Sequence, residues 1–221
     1  MKKTKKAFTL AEVLITLAII GVIAAISVPS LIQKTNQAEL ITAWKKDFAT
    51  ISQAMSKYNF DNGDFTGTLS GNQLRDNLKS NLKFIKTCES TDYVGNCWHS
   101  AGEWQSLSGK ARSGTIDINA GAILSSGSLF IIQKAATMNC ITPANYNQRT
   151  DACFLGMFDI NGFKKPNTIG KDIYGVSIFG DGSVVPFNDA SPTWACRDTP
   201  TATYSEYNGW NCSSENLYKK Q

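Results

Sequence analysis

Six cysteines, one histidine and a loop dense in side-chain oxygen carry most of the chemistry this 221-residue chain can offer. The cysteines are Cys88, Cys97, Cys140, Cys153, Cys196 and Cys212, all beyond the first third of the sequence. An even count in an exported domain favours disulfides. Composition leaves the connectivity open. The sequential choice is Cys88–Cys97, Cys140–Cys153 and Cys196–Cys212, in which each bond staples a short loop and contributes about 3 kcal/mol through the unfolded state. The competing reading is a set of free buried thiols in a reducing compartment. Zinc is disfavoured, because no two cysteines have close ligand spacing and His99 is the single histidine. His99 itself reads as a surface or packing residue.

The oxygen-rich loop runs from Asp159 to Asp172 and contains Asn161-Gly162 and Pro166-Asn167. Hard calcium prefers carboxylate, amide and backbone oxygens, so Asp159, Asn161, Asn167 and Asp172 are candidate metal ligands. The loop lacks EF-hand spacing and its distal glutamate. Lys164, Lys165 and Lys171 oppose a cation, and an Asx-turn loop bonding its own backbone is the competing account. Enzyme motifs are missing. There is no Gly-x-Ser-x-Gly elbow, Walker loop or His-Glu-x-x-His pair, and Gly180-Asp181-Gly182 reads as a turn. Trp98, Trp104, Trp194, Tyr204, Tyr207 and Trp210 read as cover for a core, with a carbohydrate or protein contact surface as the alternative.

These groups need elements to hold them. With 42% apolar and 18% charged residues, 17 glycines and 6 prolines, the chain is neither disordered, collagen-like nor a multi-pass membrane protein. Its formal charge of +4 sits in Lys2, Lys3, Lys5 and Lys6, so the remainder is neutral and no nucleic-acid partner is expected. From Phe8 to Ile32 the only charge is Glu12. Val13 to Ile32 has none and is apolar all round, and twenty helical residues rise about 30 Å, one hydrocarbon core. Lysines ahead of such a segment keep the N-terminus inside. The segment reads as a cleaved signal peptide, as a plain anchor, or as an apolar helix retained after its leader is cut. Glu12, a carboxylate that is costly without a partner in that setting, favours the last.

Ile41, Trp44, Phe48, Ile51, Met55 and Tyr58 are spaced three or four apart, which places them on one helical stripe. Pro29 lacks an amide donor and should kink or loosen that helix, and Gly21 is a second weak point. Asn62-Gly63-Asp64 ends the pattern. A short helix is expected from Gln73 to Ile85. Strands are expected at Thr115–Ile118, Ala122–Leu124 and Ser128–Ile132, with a hairpin of Ile173–Phe179 and Ser183–Phe187 around Gly180-Asp181-Gly182. The expected fold is α+β, an antiparallel sheet laid on a long N-terminal helix.

Ala7-Phe8-Thr9-Leu10-Ala11-Glu12-Val13-Leu14-Ile15 resembles the cleavage and methylation motif of type IV pilins and type II secretion pseudopilins, with alanine in place of the usual glycine before the cut. The resemblance implies cleavage between Ala7 and Phe8 and methylation of the Phe8 amine. Glu12 then becomes the fifth mature residue, close to the amine of a neighbouring subunit, where a paired buried carboxylate sets register. Pro29 falls where pilins commonly carry a helix-kinking proline. The implied layout is a leader at 1–7, a transmembrane and assembly helix at 8–32, an amphipathic half of a spine helix at 33–60, and a disulfide-stabilised pilin-like head at 61–221. The implied function is a filament subunit of the inner membrane, with the N-terminus cytoplasmic and the head periplasmic or extracellular. Implied partners are other pilin or pseudopilin subunits, the prepilin peptidase, a motor ATPase, the inner-membrane assembly platform and the bilayer. Calcium sites are known among major pseudopilins, and the Asp159–Asp172 loop resembles one seen in pilin-like heads. The rival readings are an anchored extracytoplasmic binding or adhesion protein that never polymerises, and a secreted hydrolase.

Overall fold

The computed structural model of the chain describes residues 9–64, 69–112, 120–134, 140, 152–188, 192–197 and 205–218. Ala7, Phe8, Tyr204 and the expected strand Thr115–Ile118 lie outside the described residues. Helix α1 runs Leu10–Asn62 and α2 Gly71–Leu78. Six strands follow: β1 Phe84–Glu89, β2 Ala120–Leu124, β3 Leu129–Lys134, β4 Ala152–Asp159, β5 Ile173–Phe179 and β6 Val184–Pro186. A 3-10 turn at Pro192–Trp194 precedes the last helix, α3, at Cys212–Tyr218. The strands form one antiparallel meander in the order β1-β2-β3-β4-β5-β6. This is the α+β, pilin-like arrangement expected from the sequence. The chain divides into two compact units, residues 1–39 and 40–221.

Within the second unit, the α1 stripe lies on the sheet. Trp44, Ile51 and Met55 are fully buried, and Phe48 and Tyr58 pack on the same cluster. Trp44 anchors it: its ring stacks on Tyr174 at 4.8 Å and its Nε1–H donates to the Ser213 carbonyl at 3.0 Å. Alternation along the strands splits the apolar side chains between two cores. Phe130, Phe154, Phe158, Tyr174, Val176 and Ile178 face the α1 side. Leu129, Ile131, Leu155, Met157 and Ile173 face a second core, closed by Trp98, Trp104, Phe187 and Trp210. Both faces of β4 and β5 are thus covered, so every residue of both strands is buried.

The expected helix Gln73–Ile85 is shorter than its leucine spacing suggests. Ser70 opens α2 with a capping box: its Oγ accepts from Gln73 N–H, and its own N–H donates to Gln73 Oε1 at 2.8 Å. Leu74 and Leu78 are buried. Ser80-Asn81 then breaks the helix into a turn, and β-branched Ile85 lies exposed on the edge strand β1. Arg75 ties α2 to β1, donating to the Cys88 carbonyl at 2.7 Å and pairing with Glu89 at 3.0 Å.

The β5–β6 hairpin forms around Gly180-Asp181-Gly182, with Asp181 accepting the Ser183 N–H at 2.9 Å. Gly182 is required twice over. Its φ is +76°, and a Cβ there would lie 2.6 Å from the Asn59 Cβ on α1. The three disulfides join Cys88–Cys97, Cys140–Cys153 and Cys196–Cys212, the sequential pairing. They hold β1, β4 and α3 to neighbouring loops.

Candidate functional site

The first unit offers surface rather than a cleft. Leu14, Ile15, Leu17, Ile19, Ile20, Val22, Ile23 and Ile26 are each more than half exposed, and they occupy every side of the helix. The window is long and apolar enough to cross a membrane. Large apolar side chains exposed on all sides demand lipid or other helices as partners. Pro29 lies inside α1 with helical residues on both sides. Nearby serine hydroxyls fold back on the helix, with Ser27 Oγ donating to the Ile23 carbonyl and Ser30 Oγ to the Ser27 carbonyl. They spend their hydrogen-bonding capacity within the helix and leave an apolar exterior.

Glu12 is the one charge in this surface, and the start of α1 holds it. Its carboxylate accepts the Thr9 N–H and the Thr9 hydroxyl, both at 2.9 Å, while its own N–H donates to Thr9 Oγ at 3.3 Å. That is a reciprocal capping box, legible as Thr9-x-x-Glu12, and sequence reasoning missed it. A carboxylate that accepts the helix's first amides keeps further lone pairs for a cation.

In the second unit, the oxygen-rich loop closes on itself. Asp172 accepts the Thr168 N–H on Oδ1 at 2.6 Å and the Asn167 N–H on Oδ2 at 2.8 Å. Asp159 accepts the Asn161 N–H on Oδ1 at 3.2 Å, and its Oδ2 lies 2.8 Å from His99 Nε2. Asn161 donates its amide to the Lys165 carbonyl, and Asn167 to the Glu103 carbonyl. Asp159, Asp172 and His99 are all buried. Burial pushes Asp159 up to about 7; the His99 hydrogen bond pulls it down and the nearby Asp172 carboxylate pushes it further up. Burial likewise raises Asp172 against the amides of Thr168 and Asn167.

All four proposed ligands thus meet in one loop, with much of their capacity spent on Asx-type backbone bonds. Two buried oxygens, Asn161 Oδ1 and Asn167 Oδ1, have no hydrogen-bond partner. Among the described residues no group of three or more His, Cys, Asp or Glu is placed to hold a metal. His99 is a packing residue, the second of its two expected roles, and not a surface one. Its ring also packs edge-on against Trp98 and Phe163. Sixty residues separate it from Asp159, and nothing in the sequence marks the pair.

Of the aromatics singled out in the sequence, Trp98, Trp104, Trp194, Tyr207 and Trp210 form a ladder. Trp194 stacks on Tyr207 at 6.0 Å, and the Arg112 guanidinium lies 4.9 Å from the Tyr207 ring and 5.1 Å from that of Trp104. The ladder pins the 205–210 segment onto the 98–112 loop over the second core, as cation–π and stacking contacts do.

Residues 2–28 match the family described as the prokaryotic N-terminal methylation motif. Over 70 residues, 32% of the chain, the sequence is 31% identical to the type II secretion system core protein G of Pseudomonas aeruginosa. The chain spans about half the length of that curated relative, 49%. No solved structure matches the chain.

Proposed function

We propose that the chain is a structural subunit of a type IV pilus or type II secretion pseudopilus, assembled through the α1 segment after its leader is removed. The observation that carries the reading is the all-round apolar exposure of residues 13–32 directly behind Glu12, most of it inside the methylation-motif match over residues 2–28. Before assembly those side chains sit in the inner membrane, with the lysine-rich N-terminus cytoplasmic and the head on the far side. On assembly they exchange lipid for the helices of other subunits, a transfer that costs little because both surroundings are apolar. Cleavage between Ala7 and Phe8 creates a cationic amine, and Glu12 of a neighbouring subunit is its counter-charge. The prepilin peptidase, motor ATPase and assembly platform act on the chain, which performs no catalysis of its own.

Calcium belongs to this proposal as a structural ion in the head. The fit rests on two buried carboxylates in one loop and on the partnerless Oδ1 atoms of Asn161 and Asn167. Asp159, Asn161, Asn167 and Asp172 would hold it. Bound there, the ion would neutralise the mutual repulsion of Asp159 and Asp172.

Mass spectrometry of the mature N-terminus in the native host tests the main reading. N-methylphenylalanine at Phe8 is expected. A chain beginning at Met1, or one cut beyond the apolar segment, refutes it. Glu12→Ala should enter the membrane normally and fail to form filaments, and abundant filaments from that variant would remove Glu12 from the assembly mechanism.

A further inference from the structure

Charge in the head is sorted along the strands, a feature the assembly reading does not use. The β2–β3 turn and the β4–β5 loop share one end of the sheet, because Leu129 pairs with Asp159 and Asp159 with Ile173. The two segments touch: a Cβ on Gly162 would lie 2.8 Å from the Gly127 carbonyl. The β5–β6 turn, beyond Phe179, lies at the opposite end. Helix α1 spans the distance between them. Trp44 stacks on Tyr174 at the first end, and Asn59 lies against Gly182 at the second. The chain therefore enters the unit 40–221 at the first end.

The two ends carry opposite charge among the described residues. Lys164, Lys165 and Lys171 lie on the β4–β5 loop, and Lys46 and Lys83 flank Ser125 of the β2–β3 turn; all five are exposed. Exposed Glu103 and Glu215 oppose them only in part. At the other end Asp61, Asp64, Glu89, Asp92 and Asp181 are exposed, and Lys57 is paired with Asp61. Two aromatic side chains accompany the lysines. Phe163, beside Lys164, is 46% exposed, with its ring braced edge-on by His99 at 5.4 Å. Tyr218 is 71% exposed at the tip of α3, which runs toward this end: Ser213 accepts the Gly175 N–H, and Asn216 reaches the Gly170 carbonyl. Asn161 and Asp172 tie down the loop backbone at Lys165, Asn167 and Thr168, so the lysines stand on a fixed turn.

Lysines interleaved with exposed rings make a surface suited to a membrane interface, where ammonium groups meet phosphate headgroups and rings settle among them. The acidic end of a second copy would also attract the lysines, but the bilayer is already tethered beside them. Residues 33–39, about 10 Å of helix, join Leu40 to the apolar run, and about 10 Å is one screening length at 0.1 M salt. We propose that the basic end of the head, with Phe163, Lys164, Lys165 and Lys171 foremost, docks on anionic phospholipid headgroups of the bilayer that holds residues 13–32. The proposal rests on the membrane reading of that segment. Docking orients the head before assembly and is given up when the subunit leaves the membrane.

Amine acylation of the full chain in lipid nanodiscs, read lysine by lysine by mass spectrometry, tests this. Discs of phosphatidylcholine are compared with discs in which about one third of the lipid is phosphatidylglycerol. Lys164, Lys165 and Lys171 should label at least about threefold more slowly in the anionic discs, and the difference should vanish in about 1 M salt, where the screening length is about 3 Å. Lys57, at the acidic end, should label alike in both. Lys164→Gln with Lys165→Gln, both exposed positions, should remove most of the protection of Lys171. Equal labelling in the two discs, with the chain still inserted, overturns the docking and leaves the membrane reading standing. A chain that elutes free of the discs overturns both. Protection that survives salt, or that is unchanged at Lys171 in the double variant, also refutes the docking. Protection that follows the number of copies per disc rather than the lipid assigns the lysines to a second copy and refutes it equally.

Discussion

Trp44→Ala gives a direct measure of how far the second half of α1 belongs to the head. Trp44 is 0% exposed, stacks on Tyr174, touches Phe48 and Phe158, and donates to the Ser213 carbonyl of α3. Truncating a fully buried tryptophan costs about 3–5 kcal/mol, through lost transfer energy and the cavity left behind. For a unit of this size each kcal/mol moves the melting temperature by about 2–4 °C, so a fall of roughly 6–20 °C is expected. Trp44→Phe separates the terms. It keeps a ring on Tyr174 and loses the N–H, at about 1 kcal/mol for the Ser213 carbonyl plus a smaller packing loss. The assay is thermal and urea unfolding of the full chain in detergent, followed by circular dichroism. Two controls frame it. Gln53→Ala on the exposed face of the same helix, and Leu17→Ala in the apolar segment, should each stay within about 0.5 kcal/mol for the head transition. If Trp44→Ala melts with these controls, the stripe is not part of the folding unit.

Other outcomes follow from the same geometry. Replacing Cys196 and Cys212 by alanine should destabilise the head by about 2–5 kcal/mol, and a reductant should reproduce part of that loss in wild type but less in the variant. Gly182→Ala should cost about 1–3 kcal/mol, because the new Cβ meets Asn59 in a left-handed backbone; unfolding in urea reads it. In calcium-free buffer, Asp159 should make the head less stable as pH rises. Its folded pKa of about 7 lies above the ordinary carboxylate value, so the folded state holds a proton that the unfolded chain releases. That contribution is complete below about pH 4 and is lost as pH climbs through about 7. Asp47 and Asp172, both raised by burial, act in the same direction. Asp159→Asn should flatten the slope of urea midpoint against pH, and an unchanged slope would acquit Asp159. Calcium added to wild type should flatten it too, and an unchanged slope would remove calcium from the loop.

The long-period features were legible because single physical rules dictate them. Twenty uncharged apolar residues behind four lysines need no tertiary context to be read, nor does a stripe at three and four spacing. The hairpin at Gly180-Asp181-Gly182 was legible from local turn chemistry alone. The end of α2 was misjudged because leucine spacing carries on through Leu82, which is buried, while the helix has already stopped at the Ser80-Asn81 turn. Periodicity reports which side chains go inward. It does not report whether the backbone between them stays helical. The second core was only half visible: the tryptophans were read as cover, but the sheet face they cover was not. The His99–Asp159 contact left no trace in the sequence, since it joins segments far apart in the chain with no spacing rule.

One helix therefore carries two opposed compositions, and the opposition sorts its substitutions. In residues 10–39 the large apolar side chains are exposed and gain nothing from the chain's own fold, so changes there should move assembly or membrane affinity and leave head stability alone. In residues 40–62 the apolar stripe is buried against the sheet, so changes there should move the melting temperature first. Asp47 sits on the buried side of that second stretch, where a carboxylate raises the cost of folding. A chain selected for stability alone would carry leucine at that position. Asp47→Leu should then stabilise the head by about 1–2 kcal/mol, read as a shift of the urea midpoint. A variant less stable than wild type would mean instead that the hydrogen bonds of Ser126 and Ser128 to the carboxylate outweigh its desolvation cost.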